Sequence, residues 1–288
     1  MKKILITGAY GQLGSELSLL LDGDKEVELI KTDVDTLDIC NAKEVEACIG
    51  KHHPDVVVNC AAYTAVDQAE ADTEKAKRLN VEAIGNIAKA AKKHKAKVIH
   101  ISTDYVFSGN AHTPYKENKA VCPQSVYGRT KAAGEAKLKE ILPEAVIIRT
   151  AWLYSTFGKN FVKTMINLGS TRKEINVVAD QFGTPTYAAD LAAAIHHIIN
   201  FPTWHPGIYH FTNEGYASWY DFASAIMLMN GLECKVNPIP TSGYPTAAHR
   251  PAYSVLSKTK IKETFGINPP HWLEALNRCL TLLRQERK

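Results

Sequence analysis

Through the first 150 residues, short runs of branched aliphatic residues at 3–7, 27–32, 55–60, 97–102 and 145–150 alternate with longer amphipathic stretches. Parallel strands must be joined by crossovers long enough to hold a helix, and strands covered on both faces read as unbroken apolar runs. The stretches 12–21, 42–50, 73–94 and 125–142 carry apolar residues at helical spacing. Together these predict an α/β fold: a doubly wound parallel sheet of Rossmann type, with right-handed crossovers and helices on both faces. Beyond residue 150 the rhythm loosens. Strands are expected at 175–179, 207–211 and 235–239 and helices at 160–168, 188–199, 219–229 and 272–284, with Pro and Gly gathered in the turns between them. The reading is a dinucleotide-binding domain over 1–150 and a smaller α/β lobe over 151–288. That lobe packs on the strand ends, and part of its chain returns to the main sheet.

Composition removes several function classes. A chain of 288 residues with 45% hydrophobic and 22% charged residues has the make-up of a globular protein. Its net charge of +4 is too small for binding nucleic acid by charge alone. The six cysteines form no Cys-x-x-Cys pair and have no histidines at zinc-like spacing, so no metal site is read from them. After Met1, Lys2 and Lys3 the chain reaches Thr7 and Gly8 within three apolar residues, short of the ~7–15 of a signal peptide. No run approaches the ~18 of a membrane span. A cytoplasmic protein with a small-molecule ligand, and with no nucleic-acid or membrane partner, is expected.

The first aliphatic run leads into Gly8-Ala9-Tyr10-Gly11-Gln12-Leu13-Gly14. Spaced glycines between a strand and a helix allow a tight turn and bring backbone N–H groups close to a diphosphate at the positive end of the helix dipole. Packing of strand on helix is the plainer use of the same glycines. Asp33, ending the second run, is placed to hydrogen-bond the adenosine ribose, which favours NAD over NADP. Lys31 nearby leaves that preference open, and capping of the turn is the plainer use of Asp33. Asp38 and Ile39 are candidate adenine contacts. Asn59-Cys60-Ala61-Ala62-Tyr63-Thr64 puts small residues where a nicotinamide ribose would lie.

The sharpest local pattern is Val126-Tyr127-Gly128-Arg129-Thr130-Lys131, following Ser102-Thr103-Asp104 at the end of the fourth run. Tyr127 and Lys131 are four apart and share a helix face. A lysine ammonium beside a phenol lowers its pKa from about 10, so the tyrosine can exchange a proton with a carbonyl or alcohol oxygen. Thr103 is placed to hold that same oxygen.

With these motifs, and with Arg149-Thr-Ala-Trp152, Asp180-Gln-Phe-Gly-Thr-Pro185 and His249-Arg-Pro251, the chain resembles the extended short-chain dehydrogenase/reductases. Within them it is most similar, over nearly its whole length, to the dTDP-4-dehydrorhamnose reductase family. The resemblance implies reduction of the 4-keto group of dTDP-6-deoxy-L-lyxo-4-hexulose, a dTDP-sugar, to dTDP-L-rhamnose, a step towards bacterial surface polysaccharide. It makes Tyr127 the proton donor, Lys131 the residue that tunes it and holds the nicotinamide ribose, and Thr103 the partner of the carbonyl oxygen. Asp104 and Trp152 become substrate contacts. Gly8, Gly11, Gln12, Leu13, Asp33, Asp38, Ile39, Ala62, Tyr63 and Thr64 become the cofactor cradle. NADPH is the implied cofactor, with NADH also used.

Some family members carry Mg2+ at a homodimer contact near the C terminus, towards which the tail Arg284-Gln-Glu-Arg-Lys288 offers one carboxylate, Glu286. Two other readings share the scaffold. One is a cofactor-binding regulatory protein like the regulatory subunit of methionine adenosyltransferase. The other is a nucleotide-sugar epimerase or dehydratase, which would keep its NAD through the cycle.

Overall fold

The computed structural model describes residues 1–285. Its first half runs β1 (Lys2–Thr7), α1 (Gln12–Asp22), β2 (Val27–Thr32), α2 (Ala42–His52), β3 (Val56–Asn59), α3 (Val66–Ala69), α4 (Thr73–Lys77), α5 (Ala83–His94), β4 (Lys97–Thr103), α6 (Val126–Ile141) and β5 (Val146–Thr150). The second half runs β6 (Leu153–Tyr154), α7 (Phe161–Thr171), β7 (Glu174–Val178), β8 (Phe182–Gly183), β9 (Thr186–Tyr187), α8 (Ala188–Asn200), β10 (Gly207–His210), β11 (Ala217–Ser218), α9 (Trp219–Met229), β12 (Lys235–Ile239), α10 (Thr259–Phe265) and α11 (Trp272–Gln285). The main sheet has the order β10-β5-β4-β3-β1-β2, with every neighbouring pair parallel. No helix among the described residues is long and apolar enough to cross a membrane.

Successive side chains of a strand point to opposite faces, and here both faces are covered. Ile4, Ile6, Val56, Val58, Ile99, Val146 and Ile148 pack against α1, α8 and α10. Their neighbours Leu5, Val57, Val98 and Ile147 pack on the other face against α2, α5 and α6. Each fully buried side chain of this size contributes roughly 1.5–3 kcal/mol, so the unbroken aliphatic runs are the main driving force for the layered architecture. A separate core joins α7, α9 and α11 around Tyr154, Ile166, Phe222, Ile226, Trp272 and Leu276. The chain reaches this core from β5 and leaves it again to place α8 and β10 in the main domain. The lobe is fastened to α1 by Ser155, whose hydroxyl donates to Glu16 at 2.6 Å, and by Asn160, which donates to Gln12 Oε1 at 3.1 Å.

The stretch 73–94, expected as one helix, is interrupted. Between α4 and α5 the backbone widens to a π-type turn over residues 78–82, closed by Ala83 N–H donating to the Arg78 carbonyl. Widening a helix by one residue rotates a side chain off its regular position without disturbing the apolar spacing on either side, so periodicity cannot reveal it. The side chain turned inward is Asn80, fully buried. Its Oδ1 accepts from Tyr63 N–H at 2.9 Å, and its amide donates to the Tyr63 carbonyl at 3.2 Å and to Thr130 Oγ1 at 3.1 Å. One residue thereby ties the segment after β3 to α6. Asn80→Ala leaves both Tyr63 backbone groups unpaired in the interior and is expected to cost about 2–3 kcal/mol. This is read as a lowered urea midpoint at unchanged slope; a loss under about 0.5 kcal/mol would mean the segment is fastened by other contacts.

Candidate active site

The chain leaves β1 towards β2 on one side and returns to β3 on the other, so the carboxyl ends of β1 and β3 diverge and open a crevice. The turn after β1 is shaped by contacts that admit no side chain. Gly8 adopts φ +67°, and a Cβ there would lie 2.7 Å from the Ala61 nitrogen; a Cβ on Gly14 would lie 2.0 Å from the Gly8 carbonyl oxygen. Helix α1 therefore begins against the crevice. Its N-cap, Gly11, offers no side chain to the first-turn N–H groups, which are left for an anion. The crevice widens into a cleft of about 990 Å³.

At one end of the cleft stand Asp33, Asp38 and Ile39. Asp33 accepts from Tyr10 N–H at 2.9 Å and Val34 N–H at 2.8 Å, which fixes its carboxylate at the tip of β2. Lys31 is engaged elsewhere, in an ion pair with Asp22. Asp35 also lines this end, and Arg78 reaches Asp38 across 3.6 Å. In the middle of the cleft lie Ala62 and Thr64. Tyr63, expected beside them, is turned away: its ring packs with Ala69, Ala76 and Val126, and its hydroxyl donates to Asp72 at 3.1 Å.

Thr103, Asp104, Tyr127 and Lys131 converge at the far end. Ser125 caps α6 by accepting from Gly128 N–H at 3.1 Å, which starts the helix so that Tyr127 lies in its first turn and Lys131 one turn later. The Lys131 ammonium donates to the Ile101 carbonyl at 2.6 Å. Thr103 Oγ1 donates to Asp104 Oδ1 at 3.0 Å and also interacts with the Tyr127 phenol. Burial pushes the Tyr127 phenol up, more strongly than its hydrogen bond with Thr103 draws it down. The expected lowering by Lys131 is thus reversed: desolvation dominates, and the ammonium is directed at a backbone carbonyl. Burial also lowers Lys131 to about 8 and raises Asp104 to about 6.

An aromatic wall faces this end. Trp152 stacks on Trp219 with ring centroids 3.5 Å apart and planes within 8°, and Phe161 leans on Trp219 at 4.7 Å. A Cβ on Gly183 would lie 2.6 Å from the Trp152 indole, which explains the glycine inside Asp180–Pro185. Opposite, Tyr105 meets Tyr127 edge-on at 5.5 Å and accepts from Arg250 at 3.2 Å. Arg250 is paired with Asp67 at 2.6 Å. Sequence reasoning assigned no role to Tyr105, Lys159, Asn160, Phe161, Trp219 or Arg250, all of which line the cleft. Arg250 stood within a recognised motif, His249-Arg-Pro251, but its pairing with a residue 183 positions away had no local signal.

Glu286, the carboxylate considered for Mg2+, lies outside the described residues. Among the described residues no group of three or more His, Cys, Asp or Glu side chains could hold a metal ion.

The family model described as RmlD substrate binding domain matches residues 1–285. The chain is 45% identical to a dTDP-4-dehydrorhamnose reductase of Aggregatibacter actinomycetemcomitans over 286 residues, covering 96% of this chain and 97% of the relative. The crystal structure of a dTDP-4-dehydrorhamnose reductase from Clostridium acetobutylicum superposes with a TM-score of 0.95 at 46% identity, over 98% of this chain and 99% of the other. A Bacillus anthracis dTDP-4-dehydrorhamnose reductase, solved in complex with NADP, gives a TM-score of 0.95 at 40% identity over 98% and 100% of the two chains. The chain belongs to the dTDP-4-dehydrorhamnose reductase family of the extended short-chain dehydrogenase/reductases.

Proposed function

We infer that the chain reduces the 4-keto group of dTDP-4-dehydrorhamnose to give dTDP-L-rhamnose, in dTDP-L-rhamnose biosynthesis, using NADH or NADPH. The observation that carries this is the convergence of Thr103, Tyr127 and Lys131 at one end of a cleft whose other end is a glycine cradle. The cofactor supplies the hydride that adds to the sugar C4. As that carbon is reduced, its oxygen gains electron density and needs a proton. Tyr127 donates it, and burial favours this role by keeping the phenol protonated at neutral pH. The phenolate left behind recovers its proton from solvent. Thr103 shares the developing charge on the oxygen through its hydroxyl. Trp152 offers an aromatic face to the sugar or the thymine, and Asp104 a carboxylate to the sugar hydroxyls. The first-turn N–H groups of α1, with Lys159 nearby, hold the cofactor diphosphate, and Lys131 holds the nicotinamide ribose.

The acidic adenosine end sets a preference between the two cofactors. Asp33 accepts the ribose hydroxyls of NADH, whereas the 2′-phosphate of NADPH meets Asp33, Asp35 and Asp38, with Lys31 engaged by Asp22. Both cofactors serve, and NADH is held the more tightly.

Supplying the keto sugar through coupled upstream enzymes should give substrate-dependent loss of dihydronicotinamide absorbance and dTDP-rhamnose as product. Cofactor binding without turnover would point instead to a regulatory protein. Tyr127→Phe is expected to lower kcat by about 10²–10⁴-fold while leaving NADH affinity within a few-fold; near-normal turnover would remove Tyr127 from the chemistry. In fluorescence titrations NADH should bind about tenfold more tightly than NADPH, roughly 1.4 kcal/mol. Asp33→Ser should narrow or invert that ratio, and a variant with the ratio of the parent would show that Asp33 does not read the ribose.

A further inference from the structure

Behind the reaction end of the cleft, and outside its lining, α6 carries a second ionisable residue one turn beyond Lys131. This is Glu135, whose side chain is 5% exposed, and it meets Arg149 of β5, 2% exposed. Arg149 grips it as a fork, Nε donating to Oε1 at 2.8 Å and NH2 to Oε2 at 2.6 Å. The Ser102 hydroxyl also donates to Glu135 Oε1. Ser102 and Arg149 are register partners on β4 and β5, so both donors come from the rigid centre of the sheet. The residue before Ser102 is Ile101, whose carbonyl accepts the Lys131 ammonium. Adjacent residues of β4 therefore hold side chains one turn apart on α6.

A buried ion pair is a poor stabiliser, because desolvating two charges consumes most of their attraction, and well-packed apolar residues often do as well. Its effect on a neighbouring charge is a better account of its place here. We propose that Glu135, locked by Arg149 and Ser102, is a positioning residue for Lys131, holding its ammonium against the Ile101 carbonyl and in the charged form that the cofactor needs. The inference rests on the reading of Lys131 given above.

The titratable groups around Lys131 are Cys60 at the end of β3, His100 on β4, Tyr127 and Glu135 on α6, Asp104 just after β4, and Arg149 of β5 behind Glu135. Burial holds the first three neutral: Cys60 is pushed up to about 12, His100 is lowered well below its ordinary value, and Tyr127 is raised. Of the two carboxylates, Glu135 is the one whose charge acts on Lys131. It opposes the desolvation that brings Lys131 down to about 8.

Lys131 is charged below about 8 and loses its proton above it, so NADH affinity should fall as pH rises through that region. Without the Glu135 charge the fall should come about one pH unit lower.

The test is NADH binding by fluorescence over about pH 6–10, with thermal melting, for the parent, Lys131→Met, Glu135→Gln and Glu135→Gln/Arg149→Met. The double variant removes the buried cation that the single one leaves unpaired. The expected result is a limb near pH 8 in the parent that Lys131→Met abolishes and that both Glu135 variants move to lower pH. A limb abolished by Lys131→Met but unmoved in the Glu135 variants, with only the melting temperature lowered, makes the pair a structural clasp and overturns the proposal. A limb that survives Lys131→Met belongs to another group, and then the reading of Lys131 fails and the inference with it.

Discussion

The seating of α1 on the end of β1 sets the position of everything else in the cleft. No atom fits between Gly14 and the Gly8 carbonyl, so the helix begins at the crevice and its first N–H groups face it. From that fixed start, Gln12 and Glu16 reach the second lobe through Asn160 and Ser155. The helix proposed to cradle the diphosphate is thus also the post to which the second lobe is tied. A side chain at Gly14 would push α1 away from the Gly8 turn, disturbing the start of the helix and the lobe contact together, and one at Gly8 would press on Ala61 after β3.

Burial then sets the chemistry of the far end. The same desolvation that raises Tyr127 lowers Lys131, and each shift moves its group towards neutrality. For a proton donor this is useful, since a phenol that stays protonated is available at every turnover. For a cation it is a hazard. The backbone carbonyl of Ile101 and the carboxylate of Glu135 are the groups that oppose it, the first by direct hydrogen bond and the second by charge.

The legibility of the sequence differed from part to part for physical reasons. The sheet was readable because a strand buried on both faces must be apolar at every position, as Val56, Val57 and Val58 are. Tyr127 and Lys131 were readable because four-residue spacing on a helix fixes their shared face. Tyr63 was not, because its orientation depends on Asn80, which reaches it through a helical turn wider than periodicity can register. The direction of the Tyr127 shift was also hidden: the pairing with Lys131 is local, whereas burial is the sum of contacts from β4, α6 and the 104–106 turn. Arg250 and Asp67 lie too far apart in the chain for any spacing rule, and only the folded C-terminal segment brings them together.

The aromatic wall illustrates how distant residues become one surface. Trp152 sits in the left-handed region at φ +48°, a costly conformation for a bulky residue. It directs the indole across the chain to Gly183, which has no side chain to obstruct it, and onto Trp219 at the head of α9. The Trp152 carbonyl accepts from Thr186 N–H at 3.1 Å, fixing the turned backbone from the strand that follows Gly183. Residues 152, 183, 186 and 219 therefore form one device, in which backbone strain at the first is offset by stacking and hydrogen bonding at the others. The indole so placed lines the same cleft as Tyr127 and Thr103.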